Sequence, residues 1–147
     1  MNWLALTRAA FGAAVLLAPD EVAGHIGDRQ LSEGTRHAMR ILGARLLFEA
    51  GVCYARPTRC LLTCEAGVDV IHGASMAGVA VLTRNNSRRR AAAANIATAT
   101  AFTVADVIAA RRGGSGDGIP SSGGTAMQFR DRVAERVCRL LPARLRP

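Results

Sequence analysis

LLTCEAGVDVIHGASMAGVAVLT, residues 61–83, is long and apolar enough to cross a bilayer, yet it carries Glu65, Asp69 and His72. A helix needs ~20 residues at ~1.5 Å each to span the hydrocarbon core. An unpaired charge at mid-bilayer costs at least ~2.5 kcal/mol, so acidic groups in such a segment must meet a partner or face a polar interior. The preceding apolar stretch, RILGARLLFEAGVCYA over residues 40–55, carries the complementary charge at Arg45, followed by Glu49, and is punctuated by Arg56 and Pro57. If the two segments form a hairpin about Pro57 and Thr58, Arg45 and Asp69 stand nearly equally far from the turn and reach the same depth. Arg45 and Asp69 are therefore predicted partners.

Two further apolar segments flank this pair. Trp3 to Ala18 stops at Pro19, and its length is marginal for a span. AAAANIATATAFTVADVIAA, residues 91–110, closes with Arg111 and Arg112 and is the cleanest span in the chain. The expected architecture is all-α: a polytopic four-helix membrane domain over residues 1–112, with spans at about 3–18, 38–55, 62–83 and 91–110. Residues 20–34 mix charges with glycines and read as a loop with room for a short amphipathic turn. RNNSRRR, residues 84–90, is a basic turn. Residues 113–124, GGSGDGIPSSGG, have the composition of a flexible linker. Beyond it, residues 125–147 form an arginine-rich tail whose Ala126, Phe129, Val133, Val137 and Leu140 recur at helical spacing. Arg130, Arg132, Arg136 and Arg139 occupy its other faces. Such a helix suits a bilayer surface, apolar side down and arginines among the head groups, or equally a groove on a protein partner.

Within the spans, Glu49 follows Arg45 by four residues and His72 follows Asp69 by three, so each pair shares one helix face. Arg45, Glu49, Asp69 and His72 are the candidate buried polar cluster, serving either as an ion pair that fixes helix register or as a ligand, proton or ion site. A four-span topology also places Arg8 and Asp106 on the same side, as a second ion pair near that surface. Small residues repeat every fourth position at Ala93, Ala97, Ala101, Ala105 and Ala109, and at Gly73 with Ala77 and Ala74 with Gly78, the pattern of closely packed membrane helices.

Half of the 147 residues are hydrophobic but only 4% are aromatic, and the net charge is +8. All 19 basic residues are arginine, which points to a GC-rich coding genome. They flank apolar segments or lie on the tail, with no aromatic side chains interleaved, so nucleic acid is not expected and anionic lipid head groups are the favoured counter-charge. Cys53, Cys60, Cys64 and Cys138 form no paired framework and imply no obligatory disulfide. Cys53, Cys60 and Cys64 fall near the hairpin turn, but zinc sites use tighter spacings, so no metal is expected. No phosphate loop, metalloprotease helix or nucleophile elbow is present, so neither catalysis nor a cofactor is indicated. Ser75 lies three residues after His72 and has a simpler use, bonding to its own helix backbone.

The pattern of Arg40, then Gly43-Ala44-Arg45 with Leu46, then Asp69-x-x-His72 with Ser75 and Met76, resembles small four-helix membrane proteins of unassigned function from high-GC Gram-positive bacteria. The resemblance covers roughly residues 5–110. It implies a four-span fold with a structural or accessory role and transfers no catalytic residue.

The expected function is that of a non-enzymatic plasma-membrane protein that scaffolds or modulates a membrane partner, or assembles with copies of itself, with the arginine helix on lipid. A membrane-embedded unit binding or transporting a small ligand, proton, cation or lipid is the alternative. A soluble helical bundle is a third reading, because no stretch of 18 residues lacks a charge. Both termini are assigned to the cytoplasm, because an arginine-rich surface helix suits the anionic inner leaflet.

Overall fold

The computed structural model describes residues 3–25, 31–53, 56–113 and 124–142, and every regular element among them is helical. The order is α1 (Trp3–Leu17), α2 (Pro19–His25), α3 (Glu33–Phe48), a π-helical turn (Glu49–Cys53), α4 (Arg59–Leu82), α5 (Asn86–Arg112) and α6 (Thr125–Leu140). Residues 54–55, 114–123 and 143–147, which hold the end of the expected second span, most of the linker and the end of the tail, lie outside the described residues.

Local chemistry accounts for most of the boundaries. Ser32, Thr58 and Asn85 cap α3, α4 and α5, accepting hydrogen bonds from the backbone N–H groups of Thr35, Leu61 and Arg88. Pro19 opens α2, with Asp20 and Glu21 at the positive end of its dipole. The segment read as a loop from residue 20 thus begins as a seven-residue helix. At the other end of the bundle, Arg111 and Arg112 sit in the last turn of α5, and Gly113 follows at φ +93°, a conformation that side chains disfavour.

Two helices, α4 with 24 residues and α5 with 27, are long and apolar enough to cross a membrane. α1 is apolar but has only 15 residues, and α3 opens with the polar run Glu33 to Arg40.

The helices pair as α1 with α3 and α4 with α5, and α6 lies against α4. The close hairpin expected between the second and third segments is not the tight one. Glycine decides this for the first pair. A Cβ on Gly43 would stand 2.6 Å from the Gly12 carbonyl oxygen and 2.6 Å from the Leu16 nitrogen, and one on Gly12 would stand 2.9 Å from the Gly43 oxygen. The α1 and α3 backbones touch there, as small residues allow in membrane bundles.

In the second pair, Gly73 of α4 meets Ala99 of α5, at 3.6 Å from the Cβ position that the glycine leaves empty. The buried seam of α5 is Ala92, Ala99, Asp106 and Ala110. The expected row is displaced from this seam: Ala93, Ala97 and Ala101 are exposed, as are Ala74, Ala77 and Gly78. Alanine is so frequent in this helix that its small residues fall on every face, and composition could not choose among them.

At one end of the bundle an apolar cluster of Cys53, Leu61, Leu62, Ala110 and Ala134 gathers, with Leu4 and Ala5 packed on it. The starts of α1 and α4, the ends of the π turn and α5, and α6 therefore share that end.

Candidate functional site

The polar centre is built around Arg8. Its side chain is fully buried, and its guanidinium reaches carboxylates on three other elements. Nη1 donates to Glu49 Oε2 at 2.9 Å, and Nη2 donates both to Asp69 Oδ2 at 2.5 Å and to Asp106 Oδ2 at 2.7 Å. The same guanidinium carbon lies 4.3 Å from the centroid of the Phe102 ring, which in turn packs against Phe11 at 6.4 Å. A desolvated cation over a ring face is worth ~2 kcal/mol, so Phe102 also helps to hold the charge.

Arg45 completes the network from its edge. Its Nε donates to Glu49 Oε1 at 2.6 Å, one turn along the chain, while Nη2 stands 3.9 Å from Asp69 Oδ1. One side chain, Glu49, thus bridges the two arginines. It opens the π turn, whose widened backbone follows directly from α3. Such insertions recur where a side chain must be re-aimed.

The structure therefore brings Arg8, Arg45, Glu49, Asp69 and Asp106 into one network, where the sequence suggested two separate groups. Arg8 and Asp106 are joined, and they are buried together with Glu49 and Asp69. Asp69 lies much closer to Arg8 than to Arg45. Distance from the turn relates only the second and third segments, whereas the long, forked guanidinium of Arg8 enters from the first. His72 is half-buried and stands apart from the ion pairs. It lines a cavity of about 20 Å³ together with Asp69, Arg45, Asn95, Thr98 and Phe102, room for one water molecule. Ser75 Oγ donates to the Ile71 carbonyl at 2.9 Å, and Asn95 and Thr98 likewise donate to carbonyls four residues back. These polar groups are satisfied within their own helices.

The outside of the bundle carries the opposite chemistry. Val68, Val70, Ile71, Val79, Val81 and Leu82 of α4, with Val104 and Ile108 of α5, are all exposed.

α6 docks through Ala134 and Cys138, which are buried, and Arg130 Nη2 donates to the Arg56 carbonyl at 3.2 Å. The expected apolar stripe is not the docked face: Ala126, Phe129, Val133, Val137 and Leu140 remain exposed. Arg132, Arg136 and Arg139 are exposed as well.

The cysteines also regroup. Cys64 Sγ approaches the Ala134 carbonyl at 3.9 Å, and Cys138, one turn further along the docked face of α6, is a near neighbour of both Cys60 and Cys64. Cys53 lies instead in the apolar cluster, beside Glu65. Burial pushes the Cys138 thiol above its usual range. Cys138 joins Cys60 and Cys64 because α6 folds back on α4, and the only sequence signal for this was a small face, Ala134 and Cys138, one turn apart. Among the described residues no group of three or more His, Cys, Asp or Glu side chains is arranged to hold a metal ion.

At the surface, Arg36 holds the Asp20 carboxyl below its usual range through hydrogen bonds of 2.8 and 3.0 Å, and Asp20 raises Arg36 in return.

In comparisons with known proteins, no family model matches the chain, and neither a curated protein nor a solved structure does.

Proposed function

We propose that this chain is a non-enzymatic integral membrane protein of four spans with an accessory or scaffolding role, in which the Arg8 network is an internal lock and α6 is the working surface. One observation carries the membrane reading: polarity is inverted. Four charged side chains, Arg8, Glu49, Asp69 and Asp106, occupy the interior with Arg45 at its edge, while the exposed faces of α4 and α5 carry valine, leucine and isoleucine. A soluble bundle would gain by the reverse arrangement, because burying ions costs several kcal/mol each, whereas in lipid the charges have no aqueous surface to occupy. Helix pairing through glycine and alanine, and hydroxyl groups bonded to their own helices, support the same reading.

α1 and α3 with its π turn supply the other two spans. α1 is short, and local thinning of the bilayer accommodates it. This is the four-span architecture that the resemblance carried by the Gly43-Ala44-Arg45 and Asp69-x-x-His72 pattern implies. On this topology α6 lies at the membrane surface. Its exposed apolar stripe contacts the acyl boundary, and Arg132, Arg136 and Arg139 reach anionic head groups of the cytoplasmic leaflet.

Alkaline carbonate extraction of the full chain tests the membrane reading. The chain stays in the membrane pellet if it spans, and its release to the supernatant overturns the reading.

A second reading, a site for a small cation or ligand, is favoured by the cavity beside Asp69 and His72 and by three carboxylates facing two guanidiniums. It predicts that His72→Ala changes the thermal shift caused by sodium or potassium ions, and a wild-type protein indifferent to both ions rejects it.

A further inference from the structure

Three of the four free thiols converge where α6 meets the bundle. Cys60 and Cys64 stand one turn apart at the start of α4, and Ala134 and Cys138 stand one turn apart on the face that α6 turns toward them. The approach of Cys64 to the Ala134 carbonyl fixes the register of the two helices, and the register sets Cys138 against both α4 thiols. Nothing in the lock around Arg8 uses these sulfurs, and no metal-holding arrangement is present among the described residues.

We propose that Cys138 forms a reversible disulfide with Cys60 or Cys64, a thiol latch that fastens α6 to the start of α4 under oxidising conditions.

The oxidant is a small-molecule disulfide such as oxidised glutathione. Cys60 and Cys64 are only half-buried and Cys138 is buried, so an α4 thiol is the point of entry. Its thiolate attacks one sulfur of the small disulfide, forming a mixed disulfide and releasing one small thiol. The Cys138 sulfur then attacks the protein sulfur of that mixed disulfide. This forms the protein disulfide and releases the second small thiol. Two protein thiols are oxidised, one small disulfide is reduced to two thiols, and the two protein protons pass to the released thiolates. Burial of Cys138 suits the second step, where proximity replaces acidity: a thiol held in contact with the mixed disulfide needs no high thiolate fraction to outrun a second molecule from solution. The third thiol of the cluster stays within reach of the new bond, so the latch exchanges between Cys60 and Cys64 and opens with a dithiol reductant. In a glutathione-buffered cytoplasm it rests open and closes when the poise turns oxidising.

The latch needs only the docking of α6 on α4, so it stands or falls separately from the membrane reading. The test is peptide mapping of the full chain in mild detergent after incubation with oxidised glutathione, with free thiols blocked by alkylation. The expected result is loss of two of the four free thiols, recovered as a crosslink between Cys138 and Cys60 or Cys64 within one chain. Dithiothreitol restores both, Cys53→Ser leaves the crosslink in place, and Cys60→Ser shifts it wholly to Cys64. The idea is overturned if Cys138 stays reduced, keeps a stable glutathione adduct, pairs with Cys53 or links two chains. The wild-type map alone decides the matter should a variant fail to fold.

Discussion

Replacing Arg8 with methionine removes the hub of the lock while keeping a flexible side chain of similar reach. Glu49, Asp69 and Asp106 lose contacts of 2.9, 2.5 and 2.7 Å, and Arg45 is left to balance three carboxylates. Removing one partner of a buried ion pair costs ~3–5 kcal/mol, because the other charge stays buried without compensation. At about 1.4 kcal/mol per tenfold, the folded population relative to the unfolded should fall by roughly a hundredfold to several thousandfold. The assay is unfolding in mixed micelles followed by helical circular dichroism. Arg8→Lys keeps the charge but loses the fork and should fall between methionine and the wild type. Adding Asp106→Asn to Arg8→Met removes one of the stranded charges and should recover at least ~1 kcal/mol, since groups in one network couple by about that much. Arg139→Met serves as control: its ion pair with Glu135 is exposed and 3.8 Å long, so its loss should cost less than ~1 kcal/mol. An Arg8→Met chain within ~0.5 kcal/mol of the wild type, or further damage from adding Asp106→Asn, would rule out Arg8 as the hub.

Gly43→Ala drives a methyl into the α1 backbone at 2.6 Å and should destabilise the chain by ~1–3 kcal/mol in the same assay. Gly67→Ala, with nothing within 4 Å of the added atom, should leave stability equal or raise it by up to ~1 kcal/mol. Because Arg36 depresses the pKa of Asp20, that pair contributes stability above the ordinary Asp value of 3.8 and loses it as pH falls through the depressed folded value. Asp20→Asn should therefore flatten the thermal-stability profile between 3.8 and the depressed folded value and leave the neutral region unchanged in slope. In nanodiscs, hydrogen exchange of α6 should be slower with anionic than with zwitterionic lipid. Changing Arg132, Arg136 and Arg139 together to glutamine should erase the difference, whereas equal exchange in both lipids for the wild type would remove the lipid role of α6.

The longer helices were legible because apolar runs, proline and clustered arginines mark them along the chain. Ionisable residues inside apolar runs pointed to a buried network, and Arg8, Arg45, Glu49, Asp69 and Asp106 were all visible as candidates. The contact of Arg8 with Asp106 was legible too, but the reach of Arg8 to Glu49 and Asp69 was not, because depth along a helix says nothing about which neighbour faces it. The pairing of α1 with α3 rests on two glycines far apart in the chain, Gly12 and Gly43, whose meeting is a tertiary event. The π turn at Glu49 shifts that carboxylate relative to a regular helix, and no residue type announces it. On α6 the strongest apolar periodicity identified a face that stays exposed, while docking uses the smaller residues Ala134 and Cys138. Hydrophobic pattern reports preference for an apolar medium, and under the proposed membrane reading lipid and protein interior compete for the same side chains.

The inverted polarity is tested most directly by spin labels placed singly at Ile71 and Val104 in a chain whose four cysteines are changed to serine, reconstituted in bilayers. Both labels should relax readily with oxygen and be shielded from a water-soluble nickel complex, as side chains in hydrocarbon are. Labels relaxed by the nickel complex, on a chain that remains monodisperse without detergent, would show that these apolar faces look onto water.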